Sequence, residues 1–191
     1  MSIDTQKKVL WGVRIALVLA IAFSVAFPSL PQFEGKGMAF RAPFYLAPLA
    51  VVPLVWRKLG SHGKYPYLVD ALVITPFLAD TLGNALNFYN NFDVTDDVLH
   101  FANWVFLIAG ITLALSRLGI GRFNAWTLGW GLGGLAIIWW EAAEFLVQKL
   151  GTAGLGLTYG DTIGDLLLSS TGGAVGAAIV TRFFWPEPGS R

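Results

Sequence analysis

Six apolar runs of membrane-crossing length, separated by short polar connectors, leave this chain few folds to choose from. They cover residues 9–27, 42–56, 67–88, 97–115, 124–150 and 161–184. In hydrocarbon every backbone N–H and C=O must be satisfied within its own segment, so an apolar run of ~20 residues reads as a helix. The prediction is an all-α, polytopic membrane helix bundle of about six transmembrane helices, forming one domain over residues 1–191. Composition agrees. Only 13% of the residues are charged and 55% are hydrophobic, whereas a soluble domain carries roughly 25% charged residues. The net charge of +1 gives no ground for a nucleic-acid partner. With no cysteine in the chain, disulfides, thiolate metal sites and cysteine nucleophiles are excluded. Lys7, Lys8 and Arg14 accompany the first run, but Phe27-Pro28-Ser29-Leu30 is a poor cleavage site, so a retained helix is expected rather than a signal peptide.

Local signals refine the spans. Pro43, Pro48 and Pro53 make the second run irregular. Gly129 and Gly133, and again Gly172 and Gly176, have the small-xxx-small spacing that lets helices approach closely. With the N-terminus inside, Lys7, Lys8, Arg57, Lys58, Lys64, Arg117, Arg122, Arg182 and Arg191 fall on the inner side. Only Lys36, Arg41 and Lys149 fall on the outer side. The positive-inside rule then places both termini in the cytoplasm, and the cell (inner) membrane is the expected location. Arg14 is expected to snorkel to the headgroups.

That topology gives a result no single motif gives. Asp80 and Asn84 lie in the outer half of the third span. Asp97, His100 and Asn103 lie in the outer turns of the fourth. Glu141, Glu144 and Gln148 lie toward the outer end of the fifth, and Asp161 and Asp165 at the outer start of the sixth. Four helices therefore bring carboxylates to one depth, where each charge costs about 2.5–3.5 kcal/mol on insertion scales. Lys149 is the one basic residue expected nearby. A cation, shared protons or a water-filled cavity must compensate for the rest.

Plainer roles are available for some of these groups. Asp96, Asp97 and Asp161 stand at helix starts, where an aspartate N-cap is favoured. Asp70 sits near the inner end, where Lys64 or Arg57 could pair with it. The tryptophans Trp139 and Trp140 read as an interface belt. Glu141 and Glu144 have no capping role, because they follow Leu135-Ala-Ile-Ile-Trp-Trp deep in a span.

Several carboxylates with one imidazole suit a divalent ion such as Zn, Mn, Fe or Mg. Asp97-x-x-His100 and Glu141-x-x-Glu144 each place two donors on one helix face. The expected metal ligands are Asp80, Asp97, His100, Glu141, Glu144, Asp161 and Asp165, supported by Asn84, Asn103 and Gln148. The di-iron carboxylate bundles use comparable pairs, but with two histidines, and here one histidine is at hand. Histidine-box oxygenases, His-Glu-x-x-His peptidases and Gly-x-Ser-x-Gly hydrolases are excluded for want of their motifs.

The runs Asp96-Asp97-Val-Leu-His100, Trp140-Glu141-x-x-Glu144-Phe145 and Asp161-Thr162-x-x-Asp165-Leu166, followed by Gly172-Gly-Ala-x-Gly176, resemble the YjdF-like family of small bacterial membrane proteins. The last segment more distantly resembles VanZ-like proteins. The likeness covers residues 67–180. It implies a six-helix bacterial membrane protein and no particular reaction.

The lead expectation is a metal-dependent hydrolase acting on a lipid or lipid-linked substrate at headgroup depth. The alternatives are an ion- or proton-coupled transporter, or an accessory subunit of a larger membrane complex. Membrane lipid is the expected partner, and a homo-oligomer is compatible with the sequence.

The topology is directly measurable. A reporter fused after Arg191 should be active only in the cytoplasm, and one inserted at Asn90 only outside. A C-terminal reporter active outside would invert the bundle and move the acids to the inner leaflet.

Overall fold

The computed structural model describes residues 1–61, 63–150 and 157–185. Within them the chain forms eight helices: α1 (Ile3–Ala26), α2 (Met38–Leu46), α3 (Pro48–Lys58), α4 (Tyr67–Ala85), α5 (Phe88–Asn91), α6 (Thr95–Arg117), α7 (Arg122–Lys149) and α8 (Tyr159–Phe183). Six spans are long and apolar enough to cross a membrane, α2 and α3 together making one of them. The protein is thus a multi-pass, all-helical membrane bundle. His62, part of the 151–160 connection and the tail after Trp185 lie outside the described residues.

The helix ends follow local chemistry. Ser2 caps α1 by accepting the Thr5 N–H, which carries the helix six residues upstream of its apolar run. The second span is two helices rather than one, because Pro48 lacks the N–H that would continue the ladder and instead opens α3. The third span stops at Ala85, three residues short of the expected end. Asn87 takes a left-handed conformation (φ 62°) there and turns the chain into α5. Asn87 therefore leaves the polar stripe that Asp80 and Asn84 begin.

Two packing centres flank the middle of the bundle, beside a smaller one that joins Val52 of α3 to Val69 and Val73 of α4. Leu10, Leu17 and Ile21 of α1 meet Tyr45 of α2 and Ala71 and Ile74 of α4. Trp104 and Ile108 of α6 meet Ile137 of α7 and Ala177 of α8. The second centre depends on close backbone approach. A Cβ at Gly172 would collide with the Phe101 carbonyl oxygen, and one at Gly176 with the Val105 carbonyl oxygen. On α7, a Cβ at Gly129 would collide with the Thr112 hydroxyl, and one at Gly133 would stand 2.8 Å from Ile108. The paired glycines therefore do what their spacing predicts. The indoles of Trp126 and Trp130 complete the α7–α8 contact by donating to the Ala174 and Ser170 carbonyls at 3.3 and 3.1 Å.

Gly176→Leu should destabilise the folded protein by about 1–3 kcal/mol or prevent its accumulation, as overpacking against backbone does. Gly131→Ala should be neutral or stabilising, since nothing lies within 4 Å of a Cβ there. Thermal unfolding in detergent reads both, and equal behaviour would mean that α6 and α8 are not packed backbone to backbone.

Candidate functional site

Between the two packing centres lies a cavity of about 310 Å³, lined from α2, α4, α5, α6 and α7. Its wall is written in helical periodicity. Asp96, His100, Asn103, Trp104 and Leu107 form one stripe of α6; Phe77, Asp80 and Asn84 line it from α4; Ala136, Trp140 and Glu144 line it from α7.

His100 is the hub. Its Nδ1 shares a hydrogen bond with the Ser169 hydroxyl at 3.1 Å. Its Nε2 lies 3.7 Å from an Asp96 oxygen and 3.6 Å from an Asp165 oxygen. Asp96, His100 and Asp165 form one group of donor atoms within 4.8 Å of one another, and His100, Glu141 and Glu144 form another. Helix packing explains the convergence. Asp165 and Ser169 lie on the same buried face of α8 as Gly172 and Gly176, so the close approach to α6 brings them to the imidazole. Gly129, Gly133, Ile137 and Glu141 are four residues apart on the buried face of α7, so the glycines that draw α7 against α6 also carry Glu141 inward.

Glu141 is 6% exposed, and among the described residues neither of its carboxylate oxygens has a hydrogen-bond partner. Among the same residues buried Asn103 Oδ1 and Gln148 Oε1 are also unpartnered. Orphaned acceptors of this kind are costly without a donor or a cation. The residues present fit a hard or borderline divalent ion: one imidazole, four carboxylates, and a serine on the far ring nitrogen to orient the histidine.

Several expectations change. Asp97 is exposed and stands outside both donor groups; Asp96, one step round the helix, takes its place beside His100. None of Asp96, Asp97 and Asp161 is an N-cap, because Val94 holds that position in α6 and Thr158 holds it in α8. Asp161 donates its backbone N–H to the Thr158 hydroxyl and belongs to neither group.

Asp80 lines the cavity but is already engaged. One oxygen accepts the Tyr45 hydroxyl at 2.5 Å and the other accepts the Tyr89 hydroxyl, and Asp80 belongs to neither donor group. Burial, then the charge of Asp80 and the hydrogen bond to it, push the Tyr89 hydroxyl well above the usual tyrosine range. Tyr89 therefore remains a protonated donor at neutral pH. Asn84 accepts from Lys36 at 3.0 Å and donates to the Asp80 carbonyl at 3.0 Å.

The compensating cations are Lys36 and Arg41, both of which line the cavity. Lys149 is exposed, with its ammonium over the Phe145 ring. At the opposite end of the bundle Asp70 pairs with Arg14 at 2.7 Å, not with Lys64 or Arg57, and Arg14 does not snorkel. Tyr65 donates to the same Asp70 oxygen at 2.6 Å. Burial, then this bond, raises the Tyr65 hydroxyl above its ordinary range. Trp139 is 75% exposed, whereas Trp140 turns into the cavity.

Sequence reasoning missed Lys36, Arg41, Tyr45, Tyr89 and Ser169. Two spacings carried a signal: Arg41 and Tyr45 are four apart, as are Asp165 and Ser169. Comparison of the chain with protein families, with curated proteins and with solved structures finds no match.

Asp70→Ala should destabilise the protein by about 3–5 kcal/mol, because it leaves the Arg14 charge without its partner. Asp97→Ala should change stability by less than about 0.5 kcal/mol, as exposed sites do. Thermal or denaturant unfolding of the two variants checks the contrast, and a large cost at Asp97 would restore it to the site.

Proposed function

We propose that the protein is a divalent-metal-dependent membrane hydrolase of the cell inner membrane, with its site in the outer leaflet half and a lipid or lipid-linked substrate. The observation that carries this reading is Glu141. A carboxylate with both oxygens buried and unpartnered among the described residues, within 4.8 Å of an imidazole and a second carboxylate, calls for a cation.

His100, Glu141 and Glu144 would hold the ion, with Asp96 and Asp165 completing the shell. A bound divalent ion supplies a Lewis acid and makes water a usable nucleophile near neutral pH. The chain's own residues do the rest. Ser169 fixes the ring of His100. Glu144 and Asp96 line the cavity and are placed to take a proton from water as its oxygen bonds to the ester carbon or phosphorus. The bond to the leaving oxygen then breaks, and that oxygen receives the proton. Phe77, Trp104, Leu107 and Trp140 give the cavity an apolar side for an acyl or isoprenoid-like chain.

Coupled transport is the second class that buried acids allow. Asp70, the acid at the other end, is closed off by Arg14 and Tyr65 and does not line the cavity. That supports a one-sided site over a path through the bundle.

Protein purified without chelator should carry stoichiometric Zn, Mn, Fe or Mg by elemental analysis. Glu141→Gln should weaken the ion at least as much as the ~10–100-fold typical of losing a supporting group. Added metal at about 100 times its Kd should raise wild-type stability by about 2.7 kcal/mol. A wild type that carries none of these metals and gains no stability from any of them would overturn the reading.

A further inference from the structure

The cavity has a second charged wall that the metal reading does not use. Lys36 stands over the Tyr89 ring at 5.3 Å from its centroid, and Arg41 stands over the Tyr45 ring at 5.8 Å. The hydroxyls of these same two tyrosines both donate to Asp80. One carboxylate therefore clasps two rings, and each ring face carries one cation.

This is an unusual way to place basic groups beside so many acids. Among the described residues neither Lys36 nor Arg41 has a carboxylate within ion-pair distance, and the Arg41 guanidinium makes no hydrogen bond. Lys36 uses one donor, on Asn84. A guanidinium held by a ring face keeps its planar fork of N–H donors available. The two cations also act on each other: burial, then the charge of Arg41, lowers the Lys36 ammonium from its ordinary range. Two cations lining one cavity, with donors left over, are stabilised by an anion between them.

We propose that Lys36 and Arg41 form a phosphate-binding subsite, and that the substrate is an amphiphile carrying a phosphate group. The inference rests on the reading of the cavity as a lipid-substrate site and names the class of that substrate. The phosphate is held by the Arg41 fork and the Lys36 ammonium, with the apolar tail along Phe77 and Trp140. Asp96, His100 and Glu144 line the same cavity. The tyrosine clasp is what positions the subsite, so Asp80, Tyr45 and Tyr89 act through the two cations and not on the phosphate.

The test is calorimetric binding to the purified full-length protein in a non-ionic detergent, with chelator present. The probes are decyl phosphate, decanol and inorganic phosphate. Decyl phosphate should bind tighter than decanol by about 10-fold or more, the scale of a charge-assisted hydrogen bond. Arg41→Gln and Lys36→Gln should each remove most of that preference while their melting temperatures stay at the wild-type value. Arg41→Lys should recover only part of it. If Arg41→Gln fails to fold, Lys36→Gln decides, since Lys36 lies in a connector outside the helices.

Equal binding of decanol and decyl phosphate, or full phosphate preference in both glutamine variants, overturns the proposal. Inorganic phosphate binding as tightly as decyl phosphate overturns the amphiphile and assigns the subsite to free phosphate. Metal content of the same samples, measured without chelator, should be unchanged in Arg41→Gln. An absence of metal alongside intact phosphate preference would therefore defeat the hydrolase reading and leave the subsite standing.

Discussion

The close approach of α6 and α8 is the contact on which the rest depends. Gly172 and Gly176 remove the side chains that would hold the two backbones apart, and the Phe101 and Val105 carbonyls occupy the space. In a membrane, helix association is driven by packing rather than by the hydrophobic effect, so this surface is a main source of specificity. It also sets the rotation of α6. With Phe101 and Val105 against α8, residues 96, 100, 103, 104 and 107 turn toward the cavity and residue 97 turns away. The same contact that stabilises the bundle chooses which aspartate accompanies His100.

Charge is then distributed by sharing rather than by one-to-one pairing. The described residues contain a single close arginine–carboxylate pair, Arg14–Asp70, and it lies away from the cavity. At the cavity Asp80 is satisfied by two phenols, Lys36 and Arg41 by ring faces, and His100 by a hydroxyl and two carboxylates. Two phenol donors satisfy the Asp80 carboxylate oxygens without drawing on the N–H donors of Lys36 and Arg41. Direct salt bridges to Asp80 would have consumed those donors.

Much of the architecture is legible in the residues because each span is a full apolar run with polar or proline punctuation. The failures have specific causes. The runs understate α1 and α6, since polar turns continue a helix beyond its apolar stretch, in α1 under the Ser2 cap. The break at Pro48 is visible as a proline but not distinguishable by sequence from a kink. Asp96 and Asp97 are equally good neighbours of His100 on an isolated helix, and only the α8 contact separates them. Lys36 and Arg41 read as ordinary outer-loop charges. Their role depends on α2 folding Tyr45 back onto Asp80 and on Asn87 turning Tyr89 toward the same residue, neither of which has a periodic signature. Glu141 and Glu144 were readable for the opposite reason: nothing local explains a glutamate in the middle of an apolar span.

Glu141 and Glu144 illustrate a division of labour that helical geometry imposes. They are three residues apart, close enough for both to approach His100, yet far enough around α7 to belong to different surfaces. Glu141 continues the buried line of Gly129, Gly133 and Ile137, while Glu144 continues the cavity line of Ala136 and Trp140. One carboxylate is thereby removed from water and the other is left facing whatever enters the cavity. A cation held between them would be anchored from behind and open in front, which is the arrangement a reacting site requires and a purely structural ion does not. The cationic wall of Lys36 and Arg41 belongs to the same cavity as that open side. A phosphate held there would be drawn toward the ion by charge as well as by shape, so the two walls form one site of opposite polarities.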